Sequence, residues 1–331
     1  GEQRILLGDG VVELDRNSSA GGWTVNDEVQ LLGLGAGRTR LSGAGTDRVI
    51  RMENPASLVL EDLSIVNGLP NSSGGGGILT FSDGDLILRR VHVQGNASSA
   101  GGGGIFNGRG RLELWDSTVS ENESSGNSGG GIFSGGPTRI VNSTVSGNFA
   151  ANEGGGILID RSGSLSLESS TITANSTGPA PQQLIRQSTG VRILTDNVVE
   201  NPSTIYQSVI SGNGSLGDGV PDCDLPFSDA VTSLGFNYVE ESCLGTLGTG
   251  DQTGESPQLS GLGDQGGPTP THLPLTGSPL LDAGDPQCEG SDQRGITRPQ
   301  DGDGDGNARC DIGAVEFQLP WIFSDRFERR D

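Results

Sequence analysis

Not one of the 331 residues is a lysine: the 20 basic side chains are all arginine, set against 42 carboxylates, for a formal net charge of -22. Such a field repels nucleic acid and anionic membranes and attracts divalent cations, so no nucleic-acid partner is expected. Histidine is almost missing too. His92 and His272 are the only two, and nothing in the sequence brings them together, which argues against a histidine metal site. Aromatic residues make up only 4% of the chain, so a wide core of large side chains is excluded, while a narrow core of stacked Leu, Ile and Val stays open. No run approaches the ~18 to 20 apolar residues that span a bilayer, and no signal-peptide pattern opens the chain. No transmembrane segment is therefore expected, and Gly1 reads as a mature or trimmed start. His-Glu-x-x-His and Cys-x-x-Cys spacings are also lacking, which removes the usual zinc signatures.

What the chain does have is glycine, 57 residues of it, and a repeat. The Gly-Gly-Gly-Ile signature recurs at Ile78, Ile105, Ile132 and Ile157, in steps of 27, 27 and 25 residues. A second marker, the apolar residue before a turn, falls at Ile65, Val93, Val119, Val145 and Ile172, in steps of 28, 26, 26 and 27. Two independent markers of one period identify a repeat architecture. Within a unit the parity is that of strands: Leu112 and Leu114 point one way, Glu113 and Trp115 the other. Leu86 aligns with Leu112, and Leu88 with Leu114 and Ile140, so one face stays apolar from unit to unit. A single such strand buries nothing, but identical strands stacked ~4.8 Å apart build a continuous wall.

With about three short strands and three turns per ~26 residues, the expected fold is all-β, a right-handed parallel β-helix with a loop-rich C-terminal cap. Residues 1–57 read as an N-terminal cap and irregular first coils, 58–219 as regular repeats, 220–317 as a disulfide-containing, calcium-like C-terminal region, and 318–331 as a terminal tag or docking segment. Asn96, Asn122, Asn148 and Asn175 share one register and are read as a structural ladder, since asparagine tolerates the left-handed backbone of a sharp turn. The glycine-spaced stretch Gly33–Gly43 has no following helix pattern and no lysine for a phosphate, so it reads as ordinary turns. After Asn175 the pattern strains: Ile210 comes 38 residues after Ile172, and one or two irregular coils are expected there.

Four cysteines lie outside the regular repeat, as Cys223 with Cys243 and Cys288 with Cys310. Of the three possible connectivities the local one is preferred. An even count in glycine-rich loops favours disulfides and an oxidising compartment over free thiols.

Charged residues on the repeats include Arg89, Arg90, His92, Arg109, Arg111, Glu113, Asp116 and Arg139, and a polysaccharide lyase or hydrolase would draw its base or acid pair from such a set. Register gives most of them duller work. Arg139 aligns with Glu113 and Asp116 with Arg90, as opposite charges on neighbouring coils, and Arg89 aligns with Trp115 as a cation–π partner. No catalytic residue is assigned. The sharpest chemical motif is Asp301-Gly302-Asp303-Gly304-Asp305-Gly306-Asn307. Alternating carboxylates in a glycine loop supply hard oxygen ligands, so a structural calcium is expected on Asp301, Asp303 and Asp305, with Asp311 closing the shell.

The units Leu112–Phe133 and Ile140–Ile157 resemble the Ser-Thr-Val-Ser-Gly-Asn and Gly-Gly-Gly-Ile units of bacterial secreted right-handed β-helix proteins of the pectin-lyase-like superfamily, including polymorphic-membrane-protein-type repeats. Ser278–Asp285, Asp292–Gly295, Arg298-Pro299 and Cys310–Glu316 resemble the choice-of-anchor Q domain, a tail of surface or exported proteins, and Ile322–Glu328 is similar to a short terminal tag on some of them. The resemblance spans roughly residues 25 to 317. It implies the fold and export to the cell surface or beyond, and no defined reaction. The expectation is therefore an exported non-enzymatic structural or adhesive protein, self-associating head-to-tail into filaments or contacting a surface glycan or the cell envelope. The alternative is a carbohydrate-active enzyme or carbohydrate-binding module.

Overall fold

A computed structural model describes residues 3–13, 22–70, 74–178, 188–194, 202–214, 220–224, 231–239, 243–254 and 256–319. The segment similar to a terminal tag, Ile322–Glu328, and residues 179–187 of the irregular stretch after Asn175 lie outside these residues. The described chain is a parallel β-solenoid without α-helix. One coil illustrates the rest. Leu112–Trp115 lies in a first sheet, Thr118–Ser120 in a second, Glu123–Ser124 in a short fourth, and Ile132–Ser134 in a third; the chain then re-enters the first sheet at Pro137–Val141. The first sheet stacks nine strands, the second ten, the third eight and the fourth four, and every pairing between named strands is parallel, with Leu88 beside Leu114 and Leu114 beside Ile140 as the repeat predicts.

The inward positions form apolar columns. Leu60, Leu88, Leu114, Ile140, Leu167 and Ile205 stack behind the first sheet, each 0–1% exposed. Ile65, Val93, Val119, Val145 and Ile172 do so behind the second, and Ile78, Ile105, Ile132 and Ile157 behind the third. Burying each such side chain contributes about 1.5–3 kcal/mol, which is how a chain poor in aromatics holds a core.

The 38-residue step is a single coil: Ile172 pairs directly with Ile210. The solenoid also outlasts the legible repeat. Cys223–Asp224 joins the third sheet, Val231–Gly235 the first, and Tyr238–Val239 and Gln252–Thr253 the second. At this end Cys243 belongs to the core and Leu244 packs against it, and residues 248–250 lie along the last strand of the first sheet, with Phe236 N donating to Thr249 O at 2.9 Å. At the other end Gln3–Leu6 and Gly10–Glu13 pair only on their inner edges, with Val29–Leu32 and Thr39–Ser42.

Candidate functional site

Two corners of the coil are held by polar ladders. In one, Asn96, Asn122, Asn148 and Asn175 stack in the interior; each Nδ2 donates to the Oδ1 of the next at 2.8–3.0 Å, the last to Asn213, and to a carbonyl of an earlier coil at 2.9–3.0 Å. The left-handed backbone expected of these asparagines falls instead one residue earlier, on Gly95, Glu121, Gly147 and Ala174. The asparagine is needed for its amide, which satisfies donors and acceptors buried at the corner. The opposite corner carries a ladder that sequence reasoning missed. Ser117, Ser143, Ser170 and Ser208 each accept the backbone N–H of the residue stacked above, at 3.1 Å. Its signal was a serine recurring in the same register, preceded by left-handed Asp116, Asn142, Ser169 and Gln207.

Several of the charged candidates are engaged in ion pairs, in part differently from expectation. Arg90 grips Glu61 and Asp62, the latter at 2.8 Å, on the upstream coil rather than Asp116 on the downstream one. Two acids lie on that side, and the guanidinium fork takes both. Arg139 ion-pairs with Glu168 at 3.1 Å, not with Glu113. Glu113 instead accepts the indole N–H of Trp115 at 3.0 Å and pairs with Arg111, which also holds Asp85 at 2.6 Å. The cation over Trp115 is Arg139, 4.7 Å from the ring centroid, and not Arg89. Each strand has a neighbour on both sides, so register alone does not choose between them. Burial raises the Asp116 carboxyl above its usual range, opposed by Arg90. Arg109 is exposed at a corner.

The C-terminal region does two things: Cys243 and Leu244 pack on the core at the solenoid's end, and residues 256–319 strap the outer side of the second sheet. Thr118 Oγ1 donates to Pro270 O at 2.7 Å and Thr269 Oγ1 to Asp116 O at 3.0 Å. Gln293 bridges two coils, accepting from Thr144 Oγ1 at 2.7 Å and donating to Thr118 Oγ1 at 2.9 Å. Ala314 N donates to Thr171 Oγ1, and Gly313 approaches so closely that a Cβ there would sit 2.8 Å from that oxygen. Outward hydroxyls on this sheet are accordingly buried. Both histidines serve this face. His272 Nδ1 faces the Ser260 carbonyl at 2.7 Å, so it carries the proton and donates, and Nε2 accepts from Ser146 Oγ at 2.8 Å. His92 Nε2 meets Ser120 Oγ at 2.8 Å, and burial together with Arg40 lowers its pKa to about 4. A cleft of about 370 Å³ opens where the strap ends, lined by Arg40, His92 and Asp264 among others, and one of about 650 Å³ follows its edge past Glu121 and His272.

The strap is tied by the residues that carry the anchor-domain resemblance. Arg298, 5% exposed, pairs with Glu316 and donates to Gly313 O at 2.8 Å. Asp292 takes Arg294 at 2.8 Å and the Glu316 N–H at 2.9 Å. Asp311 Oδ1 accepts the Asp282 N–H at 2.8 Å and Oδ2 the Phe317 N–H; burial, then the nearby Glu316, pushes its carboxyl up to about 7. The cysteines pair as Cys223–Cys243 and Cys288–Cys310.

In the acidic loop, oxygens of Asp282, Asp301 and Asp303 come within 4.8 Å of one another, the span of two oxygens across a calcium bound at ~2.4 Å. Asp282, unforeseen from sequence, joins Asp301 and Asp303 in this group, and Asp305 and Asp311 lie outside it. Comparison with family models, with curated proteins and with solved structures finds no match to this chain.

Proposed function

We propose that the protein is an exported, non-enzymatic structural or adhesive rod of the cell surface or extracellular matrix, related to secreted pectin-lyase-like β-helices and ending in a choice-of-anchor Q tail. The observation that carries this reading is where the chemistry-bearing side chains go. Arg90, Arg111 and Arg139 are engaged in inter-coil pairs, Glu113 is held by Arg111 and Trp115 of its own coil, and His92 and His272 serve the face under the strap. The two disulfides fit an oxidising environment outside the cytosol, and among the described residues no helix is long and apolar enough to cross a membrane. The aromatic rings argue in the same direction. Phe106 and Phe133 stack face to face at 4.6 Å and Trp115 lies under Arg139, so these ring faces are already covered. Sugars stack on open ring faces.

A structural calcium on Asp282, Asp301 and Asp303 belongs to the same reading, as a brace for the strap. Adding calcium to chelator-treated protein is expected to raise the melting temperature, and Asp301→Asn to abolish that rise; an unchanged melting temperature would remove calcium from the proposal. For function itself, cell fractionation of the full chain should find it on the surface or in the medium. Incubation with neutral and acidic polysaccharides should yield neither unsaturated product nor new reducing ends. Turnover that disappears in Arg89→Ala or Arg111→Ala would make it an enzyme.

A further inference from the structure

The strap leaves part of the second sheet uncovered. One outward column of that sheet runs through Arg40, Ser64, His92, Thr118, Thr144 and Thr171. The strap lies on the threonines, and its rim is Pro270, whose carbonyl Thr118 holds at 2.7 Å. Arg40, Ser64 and His92 instead line the cleft of about 370 Å³, together with Gly267–Pro270 of the rim.

Three groups in this cleft are uncommitted. Arg38, Arg51, Arg90, Arg111 and Arg139 all close ion pairs, whereas Arg40 has neither an ion pair nor a hydrogen bond among the described residues. Register is the reason: the residues stacked beside it are Val11 and Ser64, neither of them an acid, and the Ser64 hydroxyl donates to Ala36 O. Asp264 lines the same cleft. Its Oδ1 accepts the Gly266 N–H at 3.0 Å, its Oδ2 has no partner among the described residues, and no ion pair joins it to Arg40. His92 supplies the third group. It is 7% exposed, and its Nε2 meets Ser120 Oγ at 2.8 Å. The buried Ser120 hydroxyl has no other acceptor among the described residues, so its hydrogen goes to Nε2 and the ring proton stays on Nδ1. Nδ1, neither bonded nor enclosed, opens to the cleft as a donor without an acceptor.

We infer that this cleft binds a free α-amino acid, with Arg40 and His92 Nδ1 taking its carboxylate and Asp264 its ammonium. A guanidinium and a ring N–H only donate, and a carboxylate only accepts. A bare anion would meet a chain of net charge -22 and leave Asp264 unanswered, and a bare cation would leave Arg40 and Nδ1 unanswered. An amino acid is neutral as a whole and carries both groups on one carbon. The volume stands at the small end of ligand pockets, which run roughly 300–1,000 Å³. The rim is fixed in advance, because Thr269 and Pro270 are pinned to Asp116 and Thr118, so binding has little ordering left to do.

The test is titration calorimetry on the full chain, with the proteinogenic L-amino acids and their D-enantiomers as probes and with acetate and methylamine as the two halves of the ligand. At least one amino acid is expected to bind one to one, and acetate and methylamine at least about tenfold more weakly, since each answers one side only. Arg40→Gln and Asp264→Asn, both at exposed positions, should each weaken that amino acid about tenfold or more and leave the melting temperature at the parental value. Binding of no amino acid, acetate or methylamine binding as tightly as the amino acid, or parental affinity in either variant would each overturn the proposal.

Discussion

Asn148 shows what one side chain does in a fold of this kind. Its amide donates to Asn175 Oδ1 and to Val119 O, and its Oδ1 accepts from both the backbone and the side chain of Asn122. Asn148→Ala strands several of these buried groups at ~1–3 kcal/mol each, so a drop in melting temperature larger than that of a surface change such as Arg139→Ala is expected in calorimetry. Titration gives a second residue-scale test. Asp311 has a folded pKa near 7, raised from 3.8, so its contribution is full below about pH 4 and fades as pH rises through 7. His92 has a folded value near 4, lowered from 6.5, so its contribution is full above about pH 6.5 and is lost as pH falls through 4. Between about pH 4 and 6.5 the two contributions therefore run in opposite directions and largely cancel. Asp311→Asn should leave stability rising with pH across that window and His92→Gln should leave it falling, read as melting temperature against pH.

Among the elements, the strap is the part least visible in sequence. The coils could be read because an apolar residue recurring every ~26 positions reports directly on stacking. The strap has no period, since each of its contacts answers a different coil: Pro270 to Thr118, His272 to Ser146, Gly313 to Thr171. Its imprint was nonetheless present on the solenoid. Thr118, Thr144 and Thr171 fill an outward column where a solvent-facing sheet would carry charge, as the first sheet does with Glu113 and Arg139. Opening the strap's own staple tests its independence. Cys288→Ser/Cys310→Ser should raise amide exchange across 284–316 while the coils from Leu86 to Ile172 stay protected; equal loss in both regions would mean that strap and solenoid unfold as one unit.

For the whole molecule, stacking was legible and the side chosen by each long side chain was not. Register placed Glu113 beside Arg139, as the strands confirm, yet Arg139 turned to Glu168, because the competing neighbours differ by less than the few tenths of a kcal/mol that such exposed pairs carry. The acidic loop was legible as a loop of ligands, whereas Asp282 arrives there through a fold of the strap that local spacing cannot report. The solenoid's length follows from its last strands, which lost the Gly-Gly-Gly-Ile signature while keeping an inward Cys223 and Val239.

The strap also fixes how the rod would bear load. Its final described residues emerge beyond Glu316, whose neighbours Gly313 and Ala314 sit on the coil of Thr171, so the chain leaves from the flank and not from a tip. A pull on that end tilts the rod and tries to peel the strap, meeting first the Arg298–Glu316 and Asp292–Arg294 knot and then the Cys288–Cys310 link before any coil is strained. Tension applied there is taken by a short covalent and ionic loop before it reaches the solenoid.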